Sequence, residues 1–430
     1  MLTDAATAAT AHPAPGGPVR IALVGAGIRG GIYGRWVAEH ADRAQVVAVA
    51  EPDDDRRAGV RAAHRLAPEA AYADWRALLQ GPRPADVAVI TTQDADHAEP
   101  AVAFAAAGYD ILLEKPIAPT EHDCRRVVEA VREAGVVFGV CHVLRYAPYT
   151  QVLRELLAQG RIGEIVSVDH VEPVGFDHYA HSYVRGNWRR TDTSAPMLLA
   201  KSCHDLDWLL HVVGRPARSV TSYGGLRLFR PENRPAEAAD RCPDCALRRT
   251  CAYSAETIYG RHLAAGDLDW PLSVLTPHPT AESVAEALRT GPYGRCVWAC
   301  DNDVVDHQVV ALEFDGGSTA TFTMAAFTTD RPRTTSIFGT LGELHCDADT
   351  IRVTDFRTLA TEEIRLPAPG GDKLLSGHSG GDAGLMDAFV RAVATRDPAW
   401  IGRSAEEALA AHELVFAAER ARLERRVVEL

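Results

Sequence analysis

The sequence predicts an α/β protein whose N-terminal part is a doubly wound parallel sheet. A β-branched run at Val19–Val24 leads into a glycine-rich turn and then an amphipathic pattern from about Gly30. Later apolar runs, "AQVVAVAE", "DVAVITTQ", "DILLEKP" and "VVFGVCHVLRY", alternate with helical patterns such as "HAEPAVAFAAAG" and "DCRRVVEAVREAG". Alternation of this kind builds a parallel sheet covered on both faces, with ligands at the strand C-termini. Those ends carry Gly25–Gly30, Glu51, Thr91–His97, Glu114–Pro116 and His142–Tyr146, which should face one crevice.

The first turn has its own chemistry. Gly25, Gly27 and Gly30 fit G-x-G-x-x-G between a strand and a helix. They serve a tight turn, close approach of backbone to a pyrophosphate, and close helix–strand packing. The amides of Ile28, Arg29 and Gly30 at the helix start would hold the pyrophosphate. The second strand ends in Glu51, which suits a ribose 2′-hydroxyl and repels a 2′-phosphate, so NAD is expected over NADP. Arg56 and Arg57 lie just beyond. Thr91, Thr92, His97, Glu114 and Lys115 complete the expected cofactor contacts.

The 430 residues are 47% hydrophobic and 24% charged, enough chain for two or three domains with a sizeable core. A net charge of −13 and the lack of a basic run argue against nucleic acid and anionic membranes as partners. No apolar run approaches the roughly 20 residues that span a bilayer. Residues 1–17 read as a disordered tail without the pattern of a secretory signal, so a cytoplasmic location is expected. Five of the nine cysteines fall between positions 242 and 300, and in a cytosolic protein such clustering points to metal before disulfides.

"EKP" at 114–116, "RELLAQGRIGEI" at 154–165, "CHDLD" at 203–207 and "GTLGEL" at 339–344 join the N-terminal fingerprint in one order. With them the chain resembles the Gfo/Idh/MocA oxidoreductases over about residues 18–425. The resemblance implies a Rossmann domain, taken as 18–143, and a C-terminal α/β domain, 144–430, on an open, mainly antiparallel sheet. It also implies a homo-oligomer, dimer or tetramer, through that sheet. The implied chemistry is hydride transfer between nicotinamide and a carbon of a sugar, cyclitol or glycoside. Lys115 inherits the role of the lysine that touches the reacting hydroxyl, where a cation stabilises developing alkoxide.

"APMLLAKSCHDLDWLLHVVG", residues 195–214, reads as an apolar helix with Lys201, His204, Asp207 and His211 on one stripe. Against the family pattern His204 matches the catalytic histidine and Asp207 the later acid, which would orient it. Ala200 stands where an aspartate is expected, and Lys201 follows it. Lys201 either meets an anionic or polarised oxygen of the substrate or snorkels. His211 reads as structural.

"GFDHYAHSYVRGNWRRTD", residues 175–192, is rich in side chains that stack on sugars or bond hydroxyls. His178, His181, Arg185, Asn187 and Trp188 are its substrate candidates, with Arg145 and Tyr146 from the first domain. Cys242, Cys245 and Cys251 in "RCPDCALRRTCAYS" have spacing for a tetrahedral zinc, closed by Cys296 or alternatively Cys300, with His262 as a fallback. Such an ion would be structural, stapling an insertion at about 230–300. "DNDVVDHQVVALEFDGGSTATFTMAAFT" alternates as a strand pair turning at Asp315–Gly317.

Three functions follow, in this order. The first is an NAD-dependent dehydrogenase of a secondary hydroxyl. The second is a redox-cycling glycosidase that oxidises, eliminates and re-reduces. The third is an NAD-binding scaffold whose catalytic set has decayed.

Overall fold

The structure is a computed structural model that describes residues 17–366 and 377–430, so the expected tail lies outside the described residues up to position 16. The chain forms two compact units.

The first unit holds six parallel strands: β1 (Val19–Val24), β2 (Ala44–Ala50), β3 (Ala71–Tyr72), β4 (Val87–Ile90), β5 (Asp110–Leu113) and β6 (Phe138–Val140). Their order is β3-β2-β1-β4-β5-β6, which reverses between β1 and β4. Every residue of β4, β5 and β6 is buried, as expected of parallel strands covered on both faces. The unit runs to residue 152 and takes in a later segment ending at 413. The reason is apolar: Leu385, Met386, Phe389 and Val390 of the Gly381–Thr395 helix join Ile21, Leu23 and Trp36 in one core. Gly139 admits this helix, since a Cβ there would sit 3.0 Å from the Phe389 ring.

The second unit is built on nine strands: β7 (Ile165–Pro173), β8 (Ala217–Gly225), β9 (His307–Phe314), β10 (Thr319–Ala325), β11 (Thr334–Gly339), β12 (Gly342–Cys346), β13 (Thr350–Asp355), β14 (Thr361–Arg365) and β15 (Val428–Glu429). Their order is β14-β13-β12-β11-β7-β10-β9-β8-β15. Only β7 and β10 pair in parallel, so the sheet is mainly antiparallel. The turn expected at Asp315–Gly317 joins β9 to β10 with Gly316 and Gly317 at positive φ. Along β9 and β10 buried and exposed residues alternate, giving one covered and one open face. The Cys203–Val213 helix covers the inner face, where Trp208 stacks on His170 of β7 at 4.6 Å. No helix among the described residues is long and apolar enough to cross a membrane.

The single helix expected over 195–214 is two, Met197–Ala200 and Cys203–Val213. At the junction Ser202 leaves helical geometry (φ −109°, ψ 11°), and its carbonyl accepts the Asp205 amide to start the second helix. The stripe drawn through Lys201 is therefore interrupted just after it.

Candidate active site

In the first unit the glycine loop is shaped by contact with β4. Gly25 has φ +94°, and a Cβ there would lie 2.7 Å from the Thr91 carbonyl oxygen. At Gly30 it would lie 2.4 Å from the Gly25 oxygen. At Gly27 it meets no heavy atom within 4 Å. Two glycines thus serve packing, while the third borders open space where backbone can approach a pyrophosphate. The helix Ile28–Glu39 begins there, without a side chain capping its first amides.

Glu51 is buried at the end of β2. Its Oε2 accepts the Ala26 amide at 2.6 Å and its Oε1 the Asp53 amide at 3.0 Å. The carboxylate therefore fixes the glycine loop as well as standing where a ribose is expected. Arg57 donates to the Glu51 carbonyl and to Asp54, so its guanidinium is committed locally. The loop, its amides and the acid together fit a dinucleotide without a 2′-phosphate.

Other expected cofactor contacts have internal duties. The Thr91 hydroxyl donates to the Gly25 oxygen at 2.8 Å, and that of Thr92 to the Asp96 oxygen at 3.0 Å. His97 is buried, with its ring nitrogens 2.6 Å from the Pro116 oxygen and 3.1 Å from the Thr92 oxygen, so it ties the loop after β4 to the residue that follows Lys115. Arg29 gives its guanidinium to Glu114, Tyr33 and Asp382, which leaves its amide for a ligand.

Glu114 ends this chain of contacts. It accepts from Arg29, from Tyr33 at 2.7 Å and from the Lys115 amide at 2.9 Å. Burial would raise its pKa, but Arg29 and Lys115 overcome that and hold it below the usual range. Asp382 behaves alike: burial opposes ionisation, and Arg29 and His378 keep its carboxyl well below the ordinary value. The sequence reading missed this role of Tyr33 and Asp382. Lys115 itself is half-buried. Tyr146 uses its hydroxyl on the Ile401 carbonyl at 2.7 Å, and Arg145 is buried.

In the second unit His204 and Asp207 are both buried, one turn apart on the Cys203–Val213 helix. Lys201 lies 3.2 Å from Glu172 of β7, and Arg333 joins Glu172 at 2.8 Å to Asp205 at 2.5 Å. His170 completes the row, 3.1 Å from Asp205 and 2.7 Å from the Thr335 hydroxyl. Burial would raise the Asp205 carboxyl, yet Arg333 and the His170 hydrogen bond hold it well below the carboxylate range. Sequence alone gave Glu172, Arg333, Asp205 and His170 no role, because they lie on β7, just ahead of β11 and on the Cys203–Val213 helix, and no local pattern joins them. His211 Nε2 lies 3.2 Å from Arg154 Nη1.

Two expected substrate residues are placed otherwise. His181 is buried, with Nδ1 2.8 Å from the Tyr259 hydroxyl and its ring stacked on Tyr293 at 4.6 Å. Burial, with help from Arg185, depresses its pKa to about 3, so it is a neutral core side chain. Arg185 is also buried and donates to the Arg295 and Tyr253 carbonyls. Asn187 is exposed, and His178 and Trp188 are half-buried, so these keep surface for a ligand.

The cysteines are all unbridged. Cys242, Cys245, Cys251 and Cys296 line one cavity. Cys300 does not; its thiol donates to the Cys296 carbonyl at 3.3 Å. His262 instead lies 3.2 Å from Asp267.

Residues 19–142 match the Gfo/Idh/MocA "Oxidoreductase family, NAD-binding Rossmann fold", and residues 154–430 match its "C-terminal alpha/beta domain". The chain belongs to this family. It is 30% identical over 194 residues to an inositol 2-dehydrogenase of Pseudomonas fluorescens, 45% of this chain and 54% of that protein. It is 35% identical over 145 residues to a 1,5-anhydro-D-fructose reductase of Ensifer adhaerens, 33% of this chain and 42% of that protein. The chain thus spans about half the length of these curated relatives. The solved levoglucosan dehydrogenase, in complex with NADH and levoglucosan, superposes with a TM-score of 0.70 at 17% identity. That match covers 96% of this chain and 99% of that one, and shows the shared fold.

Proposed function

We propose that the chain is an NAD-dependent dehydrogenase moving a hydride between the nicotinamide and a secondary hydroxyl of a sugar, cyclitol or glycoside. The observation that carries this reading is Glu114, ionised by Arg29 and holding the Lys115 amide at the end of β5, in the same unit as the NAD-type loop. The relatives named for inositol and 1,5-anhydro-D-fructose, both ring polyols or their derivatives, support the substrate class.

Bound NAD supplies the hydride acceptor. Lys115 stabilises the oxygen as it becomes an alkoxide, and His204 takes the hydroxyl proton, with Asp207 orienting it. Lys201, neutralised by Glu172, positions the start of the His204 helix. His178, Asn187 and Trp188 bind the substrate ring, with Arg145 and Tyr146.

The enzyme works in the cytoplasm, a reading supported by nine unbridged cysteines. It assembles as a homo-oligomer across the open sheet face, where exposed Tyr223 and Val309 stand opposite each other. The cysteine-rich insertion holds one structural zinc ion through Cys242, Cys245, Cys251 and Cys296.

An NMR time course in deuterated water, with NAD and a panel of sugars, cyclitols and glycosides, tests the activity. Keto product rising with NADH is expected. Aglycone release with deuterium beside the oxidised carbon and no net NADH would replace the reading with a redox-cycling glycosidase. NADH binding without turnover of any panel member, and no change on Lys115→Met, would replace it with a cofactor-binding scaffold.

A further inference from the structure

We infer that Arg185 is the counter-charge of the zinc–thiolate cluster, and that the ion, through Arg185, anchors the segment carrying His178, Asn187 and Trp188. The inference rests on the zinc reading proposed above.

The four cysteines enclose a cavity of about 20 Å³, room for one ion or water-sized occupant. The rest of its wall includes two arginines, Arg185 and Arg248, and no carboxylate. Arg185 is 1% exposed. Its Nε donates to the Arg295 carbonyl at 2.8 Å, and its Nη2 to the Tyr253 carbonyl at 2.7 Å, lying also 3.6 Å from Cys242 Sγ. Its Nη1 has no hydrogen-bond partner among the described residues, nor have Ser254 Oγ and Trp298 Nε1, all buried in residues of the same wall. The Ala255 amide points at Cys242 Sγ from 3.4 Å.

Neutral thiols do not explain this wall. They are weak acceptors, and a buried cation with orphaned donors around them is costly. Four thiolates on a divalent ion change the balance. Their protons leave on binding, the cluster carries a net double negative charge, and sulfur becomes an acceptor for donors already in place. Zinc suits four thiolates and a tetrahedral site. Among the described residues the sulfurs are not gathered within 4.8 Å as a ligand set, so loading the ion draws them inward by side-chain rotation.

Arg185 ends the turn Ala180–Arg185, which follows the Phe176–Tyr179 helix and precedes Asn187 and Trp188. His181 of the same turn also packs on the insertion, through Tyr259 and Tyr293. The segment is thus fastened at two points, one of which depends on the cluster's charge. Arg185 is a positioning residue.

The test uses the full chain. Metal analysis, zinc release on thiol titration with a mercurial, and hydrogen exchange across residues 176–190 are compared for wild type, Arg185→Lys and Arg185→Met. About one zinc per chain is expected. Arg185→Met should release it at least about tenfold faster and raise exchange over 176–190, with Arg185→Lys between and the β1–β6 sheet unmoved. Release and exchange in Arg185→Met equal to wild type would overturn the role of Arg185 while leaving the zinc. A metal-free wild type would remove the zinc reading itself, and NADH titration would show the cofactor site intact. If Arg185→Met does not fold, Arg185→Lys and partly zinc-stripped wild type decide: unchanged exchange over 176–190 in both would overturn the anchor.

Discussion

Lys201 places its ammonium 3.2 Å from Glu172 Oε1, and Arg333 approaches the other oxygen of the same carboxylate at 2.8 Å. One acid therefore serves two cations, and Arg333 continues to Asp205 and on to His170. The lysine that looked anomalous beside Ala200 is the outer end of a row of alternating charge. That row ties the His204 helix to the sheet beneath it.

Removing the shared acid should show this. Glu172→Gln removes the carboxylate that two largely buried cations share, at a cost of about 3 kcal/mol. Lys201→Met should cost less, because Arg333 still compensates Glu172. The double variant should recover part of the Glu172→Gln loss in urea unfolding. Strict additivity of the two single effects would mean that the pair is not coupled.

Asp205 gives the row a pH dependence. Its carboxyl is held below its unfolded value of about 3.9, so the stabilisation is fully present above that pH. It is lost as pH falls through the unfolded value towards the folded one. Asp205→Asn should therefore lower the melting temperature near neutrality and reduce its fall between about pH 5 and pH 3. Parallel melting curves for the two proteins across that range would show the carboxylate to be inert.

These charges also mark the limit of what the sequence discloses. The strands of the first unit follow from short apolar runs, the glycine loop from its glycine positions and the β9–β10 hairpin from a period of two, all of them local signals. Lys115 was singled out by short motifs that recur in a family order, and His204 and Asp207 by helical spacing together with those motifs. Glu172, Arg333 and Asp205 meet across elements up to 161 positions apart, from 172 to 333, and no local period encodes that. The same holds for Arg185. A polar loop reads as ligand-facing until the fold shows its guanidinium turned inward to the carbonyls of Tyr253 and Arg295.

The glycine loop allows a sharper comparison. A methyl at Gly30 collides with the Gly25 oxygen, whereas one at Gly27 meets nothing. Gly30→Ala should disturb the loop itself, weakening NADH by at least about tenfold, or about 1.4 kcal/mol, and lowering the melting temperature without ligand. Gly27→Ala should weaken NADH similarly but leave the apo melting temperature unchanged, since the methyl fills only cofactor space. Full NADH affinity in Gly27→Ala, by quenching of tryptophan fluorescence, would place the pyrophosphate elsewhere.

Cofactor choice should turn on Glu51, whose carboxylate fixes the Ala26 and Asp53 amides and would repel a 2′-phosphate. Glu51→Gln keeps the shape and one acceptor but removes the charge. NADH binding should weaken by about tenfold, or about 1.4 kcal/mol, while NADPH binding improves, so the preference narrows from both sides. It should not reverse, because Arg57 is held by the Glu51 carbonyl and by Asp54. Adding Asp54→Asn releases one of those bonds and should improve NADPH binding further. Fluorescence titrations with both cofactors separate the alternatives. If Glu51→Gln lowers both affinities by the same factor, the acid acts only as a brace for the loop, and the discrimination between NADH and NADPH lies in other residues.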